Sequence, residues 1–502
     1  MEPIRNELQI RRVAGRVVAQ TVVESEIPMP SGRQVSRILY AQGQIENEIA
    51  ETQERQVRTA GTLRLQLMCM DIENQVFGMR AQTQYTHQIA MAGVQAGMRV
   101  QVQAQLLDMR CALTNGRIRL DAIAELTAAV QEQGETTVVH DIAGIGDVEK
   151  RYAEVTVGDW RKVGETLLRI HETVPIAGIE SVLLADGATQ TTSVSLTEGG
   201  ANVQGMLYLG ILYTDQDGQY TPTSQHLPYE AMVPFEVDAR TCTQIVGTTR
   251  LKELEVAVSP DNDGLEIDVL LELIAHCIGS TDVRVLEDAY TPDGSFCCTQ
   301  EEMEQLSTVA HSTKVCTYTE NIRVPDDREA AFRPLFVSAR PMLLGVFNNG
   351  GQLAADGMLV ATVIYQTDEG ILMCFEEDIP IQCTLDAPFM ADSEVSLTLL
   401  EARINGSGRA LNATFTVETA ATLQELTRLR VVTDTQAAEP LPRANGVMVH
   451  FASASDTYWD IGKRYGVSLE NLRNWNPDVQ EPFAEGQAII LLLAPTRTRR
   501  AG

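Results

Sequence analysis

A threefold internal repeat is the feature that most constrains this sequence. Three anchor glycines, Gly61, Gly205 and Gly357, each open an apolar run with strand character. The runs read Gly-Thr-Leu-Arg-Leu-Gln-Leu, Gly-Met-Leu-Tyr-Leu-Gly-Ile and Gly-Met-Leu-Val-Ala-Thr-Val, and they align without gaps. Apolar residues two and six positions after each glycine fall on one face of a strand. We therefore expect that face to be buried in all three copies.

Each copy also has two predicted turns at matching places. The thirteenth residue after each anchor glycine is Asn74, Gly218 or Gly370, residue types that accept a left-handed backbone. A second turn follows in each copy, and largely alternating strands come after it. These second turns lie at Asn115-Gly116, at Asp263-Gly264 and in the stretch from Asn405 to Gly408. The order of strand and turn therefore repeats three times.

Upstream of the anchors the copies differ. The apolar runs Ile38–Tyr40 and Val182–Leu184 begin at the same distance before their anchor glycines. The run assigned to the third copy, Met342–Leu344, begins much closer to its anchor. The interpretation is that the third copy has lost a loop.

The fold class predicted from these patterns is mainly β, with three tandem domains that resemble β-sandwiches or barrels. Each copy is long enough to enclose its own core, so we expect beads on a chain rather than a solenoid. The copies are placed at 35–132, 179–290 and 337–434. The remaining segments are assigned as an N-terminal segment (1–34), a connector (133–178), a connector with a short helix at Gln300–Val309 (291–336), a flexible linker (435–446), a separable C-terminal domain (447–493) and a basic tail (494–502).

The C-terminal domain has a different pattern, of strand, helix, helix and strand. Thr457 and Asp460 have the spacing of a capping box, and Ser468 is placed to begin the second helix. Trp459 is expected to pack in the core of this small domain rather than to contact a ligand. The order predicts a compact βααβ unit.

This βααβ pattern resembles the LysM domain. The string from Ser455 to Gly462 stands where LysM domains have a Gly-Asp-Thr-Leu-Trp-x-Ile-Ala string, and Asn476-Pro477 stands at a later landmark. The resemblance implies a shallow groove that binds N-acetylglucosamine-containing glycans or a protein. The residues expected to form that groove are Ser455, Asp456, Thr457, Tyr458, Asn474, Trp475, Asn476, Pro477 and Asp478.

Charge and cysteine usage narrow the partners and the compartment. The chain has 502 residues and a formal net charge of −29, which disfavours electrostatic binding to nucleic acid or to an anionic bilayer. Nine scattered cysteines, most of them in apolar strand-like runs, are typical of thiols that pack as small hydrophobes in a reducing cytosol. The N-terminus lacks the apolar segment of a signal peptide, and no stretch has the length of a spanning helix. We therefore expect no membrane insertion and no export.

Motifs of the common enzyme classes are missing from the sequence. It has no Gly-x-Ser-x-Gly, no His-Glu-x-x-His and no phosphate-binding loop, and its seven histidines are scattered. The glycine pair Gly144 and Gly146 is interpreted as an ordinary turn. We expect no catalytic residue, no metal site and no cofactor.

Three β repeats followed by one LysM domain resemble the architecture of the SipL-type spore coat morphogenetic proteins, whose repeats are called SPOCS domains. The Gly-x-Leu strand with its turn, and the string from Asp288 to Pro292, are similar to features of those domains. The resemblance implies a non-enzymatic scaffold in the mother-cell cytoplasm, at the forespore surface, whose LysM domain docks onto the ATPase of the coat's basement layer. Self-association through the repeats is a further expectation. The alternative is a binder of peptidoglycan or N-acetylglucosamine oligomers in which the repeats are spacers.

Overall fold

The computed structural model describes residues 2–30, 33–143, 147–235, 242–261, 263–438 and 446–493. Strands account for 78% of the residues and helices for 3%, so the mainly β fold class is confirmed. The glycine pair Gly144 and Gly146, most of the predicted linker and the basic tail lie outside the described residues.

Six strands build the first repeat. They are β1 (Glu2–Ile27), β2 (Val35–Gln53), β3 (Gln56–Asp71), β4 (Val76–Ala90), β5 (Arg99–Thr114) and β6 (Arg117–Ala143). Two antiparallel three-stranded sheets form, in the orders β1-β6-β5 and β2-β3-β4. Side chains from both sheets enclose one apolar core, which includes Leu63 and Leu67 from β3 and Leu120 and Leu126 from β6.

The second and third repeats have the same topology. The second repeat contains β7 (Glu149–Pro175), β8 (Ile179–Thr197), β9 (Gly200–Asp215), β10 (Tyr220–Pro234), β11 (Gln244–Val258) and β12 (Gly264–Tyr290). The third contains β13 (Phe296–Arg323), β14 (Arg333–Asn349), β15 (Gln352–Gln366), β16 (Leu372–Pro388), β17 (Glu394–Ser407) and β18 (Ala410–Ala437). Their sheets run β7-β12-β11 and β8-β9-β10, then β13-β18-β17 and β14-β15-β16.

The predicted strand faces and the first predicted turn of each copy are confirmed. The apolar residues two and six positions after each anchor glycine are fully buried: Leu63, Leu67, Leu207, Ile211, Leu359 and Val363. Asn74, Gly218 and Gly370 all have positive φ, at 62°, 74° and 80°. In the first two copies an aspartate side chain, Asp71 or Asp215, accepts two backbone N–H bonds across that turn.

The anchor glycines are needed because a neighbouring strand comes too close for a side chain. A Cβ on Gly61 would lie 2.0 Å from the Glu46 carbonyl oxygen, and one on Gly205 would lie 2.3 Å from the Gln190 carbonyl oxygen. The ring of Tyr85 or Tyr229 fills the space above the glycine. The anchor glycine is therefore a packing requirement and not a flexible point.

The third copy has not lost a loop upstream of its anchor. In the first two copies Tyr40 pairs with Met68 and Leu184 pairs with Leu212. In the third copy the residue paired in the equivalent way is Phe336, opposite Ile364. Leu335-Phe336 therefore occupies the place that the sequence analysis gave to Leu343-Leu344, and the spacing to the anchor glycine is the same in all three copies.

A further expectation, for the second connecting segment, is wrong. The helix expected at Gln300–Val309 is part of β13, where these residues pair with β18 from Val432 to Gln424. Its helical apolar spacing is overridden by this long antiparallel pairing, because tertiary context outweighs a weak local signal. Residues 149–168, which were assigned to the first connector, lie in β7. The segments assigned as connectors thus supply strands to the repeats.

The three repeats share apolar cores and are not separate beads. One cluster at their junction combines equivalent positions from all three: Leu39, Leu183 and Leu335, then Tyr40, Leu184 and Phe336, then Met68, Leu212 and Ile364. A second junction joins the ends of β6, β12 and β18 through Val139, Leu286 and Val432. Because equivalent residues meet, the repeats are arranged with approximate threefold symmetry in one body. A repeat standing alone would expose its share of these junction residues to solvent, which explains the association.

Candidate functional site

The C-terminal domain has the predicted order of strand, helix, helix and strand. It comprises β19 (Gly446–Ala452), α1 (Tyr458–Tyr465), α2 (Leu469–Trp475) and β20 (Gln487–Leu493), and β19 pairs antiparallel with β20. Its own core includes Ile461, Leu472, Ile489 and Leu491. Thr457 caps α1 in a capping box with Asp460, and Ser468 caps α2, as the sequence predicts.

The first loop of the expected groove is held by short polar contacts. Asp456 accepts a bond from the backbone N–H of Ser453 (2.9 Å) and lies 3.2 Å from Nε2 of His450. The Ser453 N–H bond, followed by the His450 contact, lowers the pKa of Asp456. Ser455 itself is exposed at the tip of the loop. The loop is thus ordered by Asp456 while Ser455 remains accessible.

Two of the expected groove residues have structural roles. Asn476 is buried, donates to the carbonyl oxygens of Leu472 (2.8 Å) and Ile490 (2.9 Å), and accepts from the Ile490 N–H (2.7 Å). Tyr458 is also buried, and its hydroxyl donates to the Val479 carbonyl (3.0 Å). These side chains tie α1, α2 and β20 together. Their accessible surface is too small for them to make the main contacts with a ligand.

The remaining groove residues differ in exposure. Asn474, Pro477 and Asp478 are exposed, Thr457 is partly exposed at the helix cap, and Trp475 is partly buried against the domain core. The Tyr458 hydroxyl bonds the loop after α2 to the start of α1. The structure therefore brings the two loops together. It leaves a polar rim, formed by Ser455, Asn474 and Asp478, open to solvent.

A second open surface was not predicted. Val447, Val449 and Phe451 alternate along β19, and they pair with Leu492, Ile490 and Ala488 of β20 on the same face. This outer sheet face, defined by these six residues, is exposed, with Phe451 at 69% and Val447 at 72% of full exposure. The opposite face carries the domain core through Ile489 and Leu491. The sequence signal was present, because β20 is apolar at both alternating sets of positions and β19 has Val447, Val449 and Phe451 on one of them.

The C-terminal domain packs against the second repeat. Trp459 and Lys463, one helical turn apart on α1, both reach Asp288 near the end of β12. The indole Nε1 donates to Asp288 Oδ2 (2.9 Å), and the ammonium lies 2.7 Å from both carboxylate oxygens. Trp459 is buried, as expected, but it is buried at this contact rather than in the core of its own domain.

Three further interactions join the C-terminal domain to the second repeat. Together with the Asp288 interactions they form what we call the docking contact. The Tyr290 hydroxyl donates to the Val467 carbonyl (2.8 Å), and its ring packs edge-on against Trp459 at 5.1 Å. Glu149 accepts the backbone N–H of Leu469 (3.0 Å) at the start of α2. A Cβ on Gly462 would lie 2.3 Å from the Tyr290 hydroxyl oxygen, so only glycine fits there. The domain expected to be separable is instead seated on the ends of β7 and β12.

Electrostatics favour the ionised form of the central carboxylate. Burial of Asp288 opposes ionisation, but hydrogen bonds from Lys463 and Trp459 outweigh it and lower the pKa. Asp141, which stands at the same distance from the end of β6, accepts from Lys150 of the following repeat (2.6 Å). Lys463 therefore binds an aspartate of the second repeat in the way that Lys150 binds the equivalent aspartate of the first. The string from Asp288 to Pro292 was noted in the sequence for its resemblance to SPOCS features. It contains the carboxylate that accepts these hydrogen bonds.

A polar cavity of about 1130 Å³ lies where the three repeats meet. Its walls come from β2, β8 and β14 and from β5, β11 and β17. At two of the seams between repeats an amide faces a carboxyl group: Gln42 donates to Asp186 (3.2 Å), and Gln190 bonds Glu418. Burial raises the pKa of Asp186 and raises that of Glu418 to about 7. Sequence reasoning could not find these groups, because the partners come from different repeats and are far apart along the chain.

An aromatic group lines the same cavity. The Trp160 ring stacks on His276, with centroids 4.6 Å apart, and lies 5.7 Å from His311. Burial lowers the pKa of each imidazole to about 4, so both are neutral near pH 7. In the described part of the chain, no group of three or more His, Cys, Asp or Glu side chains could hold a metal ion.

Two cysteines depart from the expected pattern of packed thiols. Cys242 and Cys277 form a disulfide in the second repeat. The two cysteines are 35 residues apart in the sequence. Pairing in a β-fold depends on strand register, which spacing alone does not reveal.

Comparison with known proteins identifies one region. Residues 34–114 match the family model described as SipL, SPOCS domain. No curated protein and no solved structure matches the chain. The matched residues comprise β2 to β5 of the first repeat, and the same strand order recurs in the other two. The first repeat is therefore similar to a SPOCS domain over β2 to β5. Across the described residues, no helix is long and apolar enough to cross a membrane.

Proposed function

We propose that this protein is a non-enzymatic scaffold in bacterial endospore coat assembly. The observation that carries the proposal is the SPOCS match over residues 34–114, together with two further copies of the same strand order. The repeats form the body of the scaffold, and the C-terminal domain, as a LysM domain, docks onto the basement-layer coat ATPase. The site of action is the mother-cell cytoplasm, at the forespore surface.

Docking through the C-terminal domain is supported by its exposed apolar surface. The outer sheet face places Val447, Val449 and Phe451 in solvent beside Ile490 and Leu492. A contiguous exposed apolar patch of this kind marks protein contacts, whereas isolated exposed apolar residues are ordinary. The docking contact with the second repeat uses the opposite part of the domain, on α1. The outer sheet face and the polar rim are therefore both available to a partner while the domain is seated.

The alternative is glycan binding, in which the polar rim reads N-acetylglucosamine oligomers or peptidoglycan. The observation that favours it is the exposure of Ser455, Asn474 and Asp478 on adjoining loops. The two functions place their contacts on different surfaces. Variants of each surface therefore distinguish them.

The test uses the full chain and compares variants in co-purification from lysate of sporulating cells. Val449→Ser combined with Phe451→Ser alters the outer sheet face, and Asn474→Ala combined with Asp478→Ala alters the polar rim. Leu196→Ser, at an exposed apolar residue of the second repeat, is the matched control. We expect the outer-face variant to reduce recovery of the ATPase at least tenfold and the control to leave it unchanged.

Retention on insoluble peptidoglycan and binding to N-acetylglucosamine hexamer are measured in parallel. Scaffold function predicts that neither the wild type nor a variant is retained. Specific retention of the wild type that the polar-rim variant abolishes, with no ATPase recovered by any form, would replace the scaffold proposal with glycan binding.

A further inference from the structure

Two thiols in the third repeat face each other across its two sheets. Cys316 lies on β13 and Cys383 on β16, and their sulfur atoms are 3.1 Å apart. β13 belongs to the sheet β13-β18-β17, whereas β16 belongs to the sheet β14-β15-β16. A bond between the sulfurs would therefore join the two halves of one core, which backbone hydrogen bonds do not connect at this point.

Neighbouring side chains fix the position of both strands. Lys314, Cys316 and Tyr318 alternate along one face of β13. The Lys314 ammonium donates to the Thr384 carbonyl (2.8 Å), and the Tyr318 hydroxyl donates to the Gln382 carbonyl (2.9 Å). These two bonds bracket the sulfur pair on either side. The strands are thus held in register, with the two sulfur atoms in contact.

The two thiols differ in access. Cys383 is 3% exposed, while Cys316 is partly exposed at the edge of the same contact. Burial raises the pKa of Cys383 to about 11, which keeps it protonated until a partner accepts its proton. Cys316 is therefore the thiol that meets a reagent from solvent first, and Cys383 is placed to react with the product.

We propose that Cys316 and Cys383 are a site of reversible disulfide formation that cross-links the two sheets of the third repeat. The oxidant is a low-molecular-weight disulfide. Cys316 Sγ attacks one sulfur of that disulfide, forming a mixed disulfide and releasing one thiol. Cys383 then loses its proton and attacks Cys316 Sγ, so that the second small thiol leaves. Two protein thiols are oxidised, and one small disulfide is reduced to two thiols.

The pair in the second repeat shows what is distinctive about this site. The Cys242–Cys277 disulfide connects β12 with the segment just before β11, and these are neighbours in one sheet. Cys316 and Cys383 are 67 residues apart in sequence and belong to different sheets. A cross-link between sheets closes a longer loop and restricts the separation of the sheets, so its effect on stability is larger.

The experiment oxidises fully reduced, full-length protein with glutathione buffers of increasing oxidised-to-reduced ratio. Free thiols are then blocked, and peptides are mapped by mass spectrometry without reduction. We expect a peptide joining Cys316 to Cys383 within one chain, in a yield that rises with the ratio and reverses when the ratio is lowered. In the oxidised state the melting temperature rises by about 5 °C relative to the same protein with only this pair reduced.

Variants show whether the joined peptide and the change in melting temperature come from Cys316 and Cys383. Cys316→Ser combined with Cys383→Ser removes the joined peptide and that part of the redox-dependent melting shift. Cys297→Ser, at an exposed thiol of the same strand β13, preserves both. Mapping of the wild type is decisive even where a variant does not fold. Recovery of Cys316 and Cys383 as free thiols or as separate glutathione adducts at every ratio would overturn the proposal.

Discussion

The body of three repeats and the C-terminal domain are held by different kinds of contact. The repeats meet mainly through buried aliphatic and aromatic side chains contributed by equivalent strands, with polar contacts at their seams. The C-terminal domain meets the second repeat through one buried carboxylate, one indole, one ammonium and a few hydrogen bonds. Water cannot replace the apolar contacts between the repeats. The hydrogen bonds of the C-terminal domain can be replaced by hydrogen bonds to water or to a partner. We therefore expect the body to stay intact and the C-terminal domain to separate from it more readily.

The largest effect is expected from breaking the shared apolar junction. Leu184→Ala removes a side chain that is 1% exposed among Leu39, Phe336 and their neighbours. The lost burial and the cavity left behind should lower the free energy of unfolding by about 3 kcal/mol. Because the junction is common to all repeats, urea unfolding followed by far-UV circular dichroism should remain one transition and move as a whole.

Leu196→Ala, at an exposed position of the same strand β8, is the control and should change stability little. Separate transitions in which only the second repeat is weakened would show that the repeats are independent. That result would contradict the shared core as the origin of their cohesion.

The next effect is expected at the docking contact. Asp288→Asn keeps the shape of the side chain but removes the charge that faces Lys463. Since the ammonium is partly exposed, the loss should be about 2 kcal/mol, below the roughly 3–5 kcal/mol lost when a fully buried pair is broken. We expect faster amide hydrogen exchange in α1 and red-shifted tryptophan fluorescence, with unchanged exchange in β3, β9 and β15.

Asp268→Asn, at a partly exposed carboxylate also on β12 that pairs with Arg169, is the matched control. It should leave exchange in α1 unaltered. Equal exchange in α1 for wild type and Asp288→Asn would indicate that the domain is seated by the remaining contacts alone.

The body and the docking contact should also respond to pH in opposite directions. Asp288 has a lowered pKa, so its contribution is present above the unfolded value and is lost as pH falls through the folded value. Glu418 has a pKa raised from 4.5 to about 7, so the folded state keeps a proton that the unfolded state releases. Its effect is to make the body less stable as pH rises from 4.5 to 7, by about 1.5 kcal/mol after allowance for partial exposure.

Glu418→Gln tests this, because glutamine mimics the protonated form at every pH. The variant should be more stable than the wild type at pH 7 and equal to it near pH 4, as measured by urea unfolding across that range. Glu425→Gln, at an exposed position of the same strand β18, controls for net charge. A Glu418→Gln advantage of the same size at pH 4 and pH 7 would exclude titration as the cause.

Local patterns predicted local structure well in this chain, and contacts between distant strands less well. The buried faces around Leu63 and Leu207, the turn at Asn74 and the cap at Thr457 follow from residues close in sequence. The misplaced alignment at Met342–Leu344 arose because an apolar triplet can be matched at more than one spacing. Only the pairing of Phe336 with Ile364 fixes the register.

In the candidate site, too, local features were predicted from the sequence and contacts between distant segments were not. The groove loops were located by a resemblance, but the buried roles of Tyr458 and Asn476 depend on the path of β20 and the loop before it. The seat of Trp459 on Asp288 joins residues 171 apart, and no periodicity in either segment predicts it. Apolar residues on both faces of β20 were an overlooked signal, because a strand with a single buried face should alternate.

The smallest effect is expected inside the C-terminal domain, and it sharpens the distinction between the domain's own fold and its attachment. Thr457→Ala removes the side chain that accepts the Asp460 N–H (3.2 Å) at the start of α1. Loss of this cap should lower the stability of the domain by about 1 kcal/mol. Thr457→Ser retains an oxygen that can cap the helix and should restore most of the loss. Because α1 also carries Trp459 and Lys463, fraying its first turn should speed amide exchange in α1 and slightly weaken the seat on the second repeat, while the unfolding of the body stays unchanged. A drop in the stability of the body equal to that of the domain would mean that the two regions unfold together, and the polar seat would then be as permanent as the apolar junction.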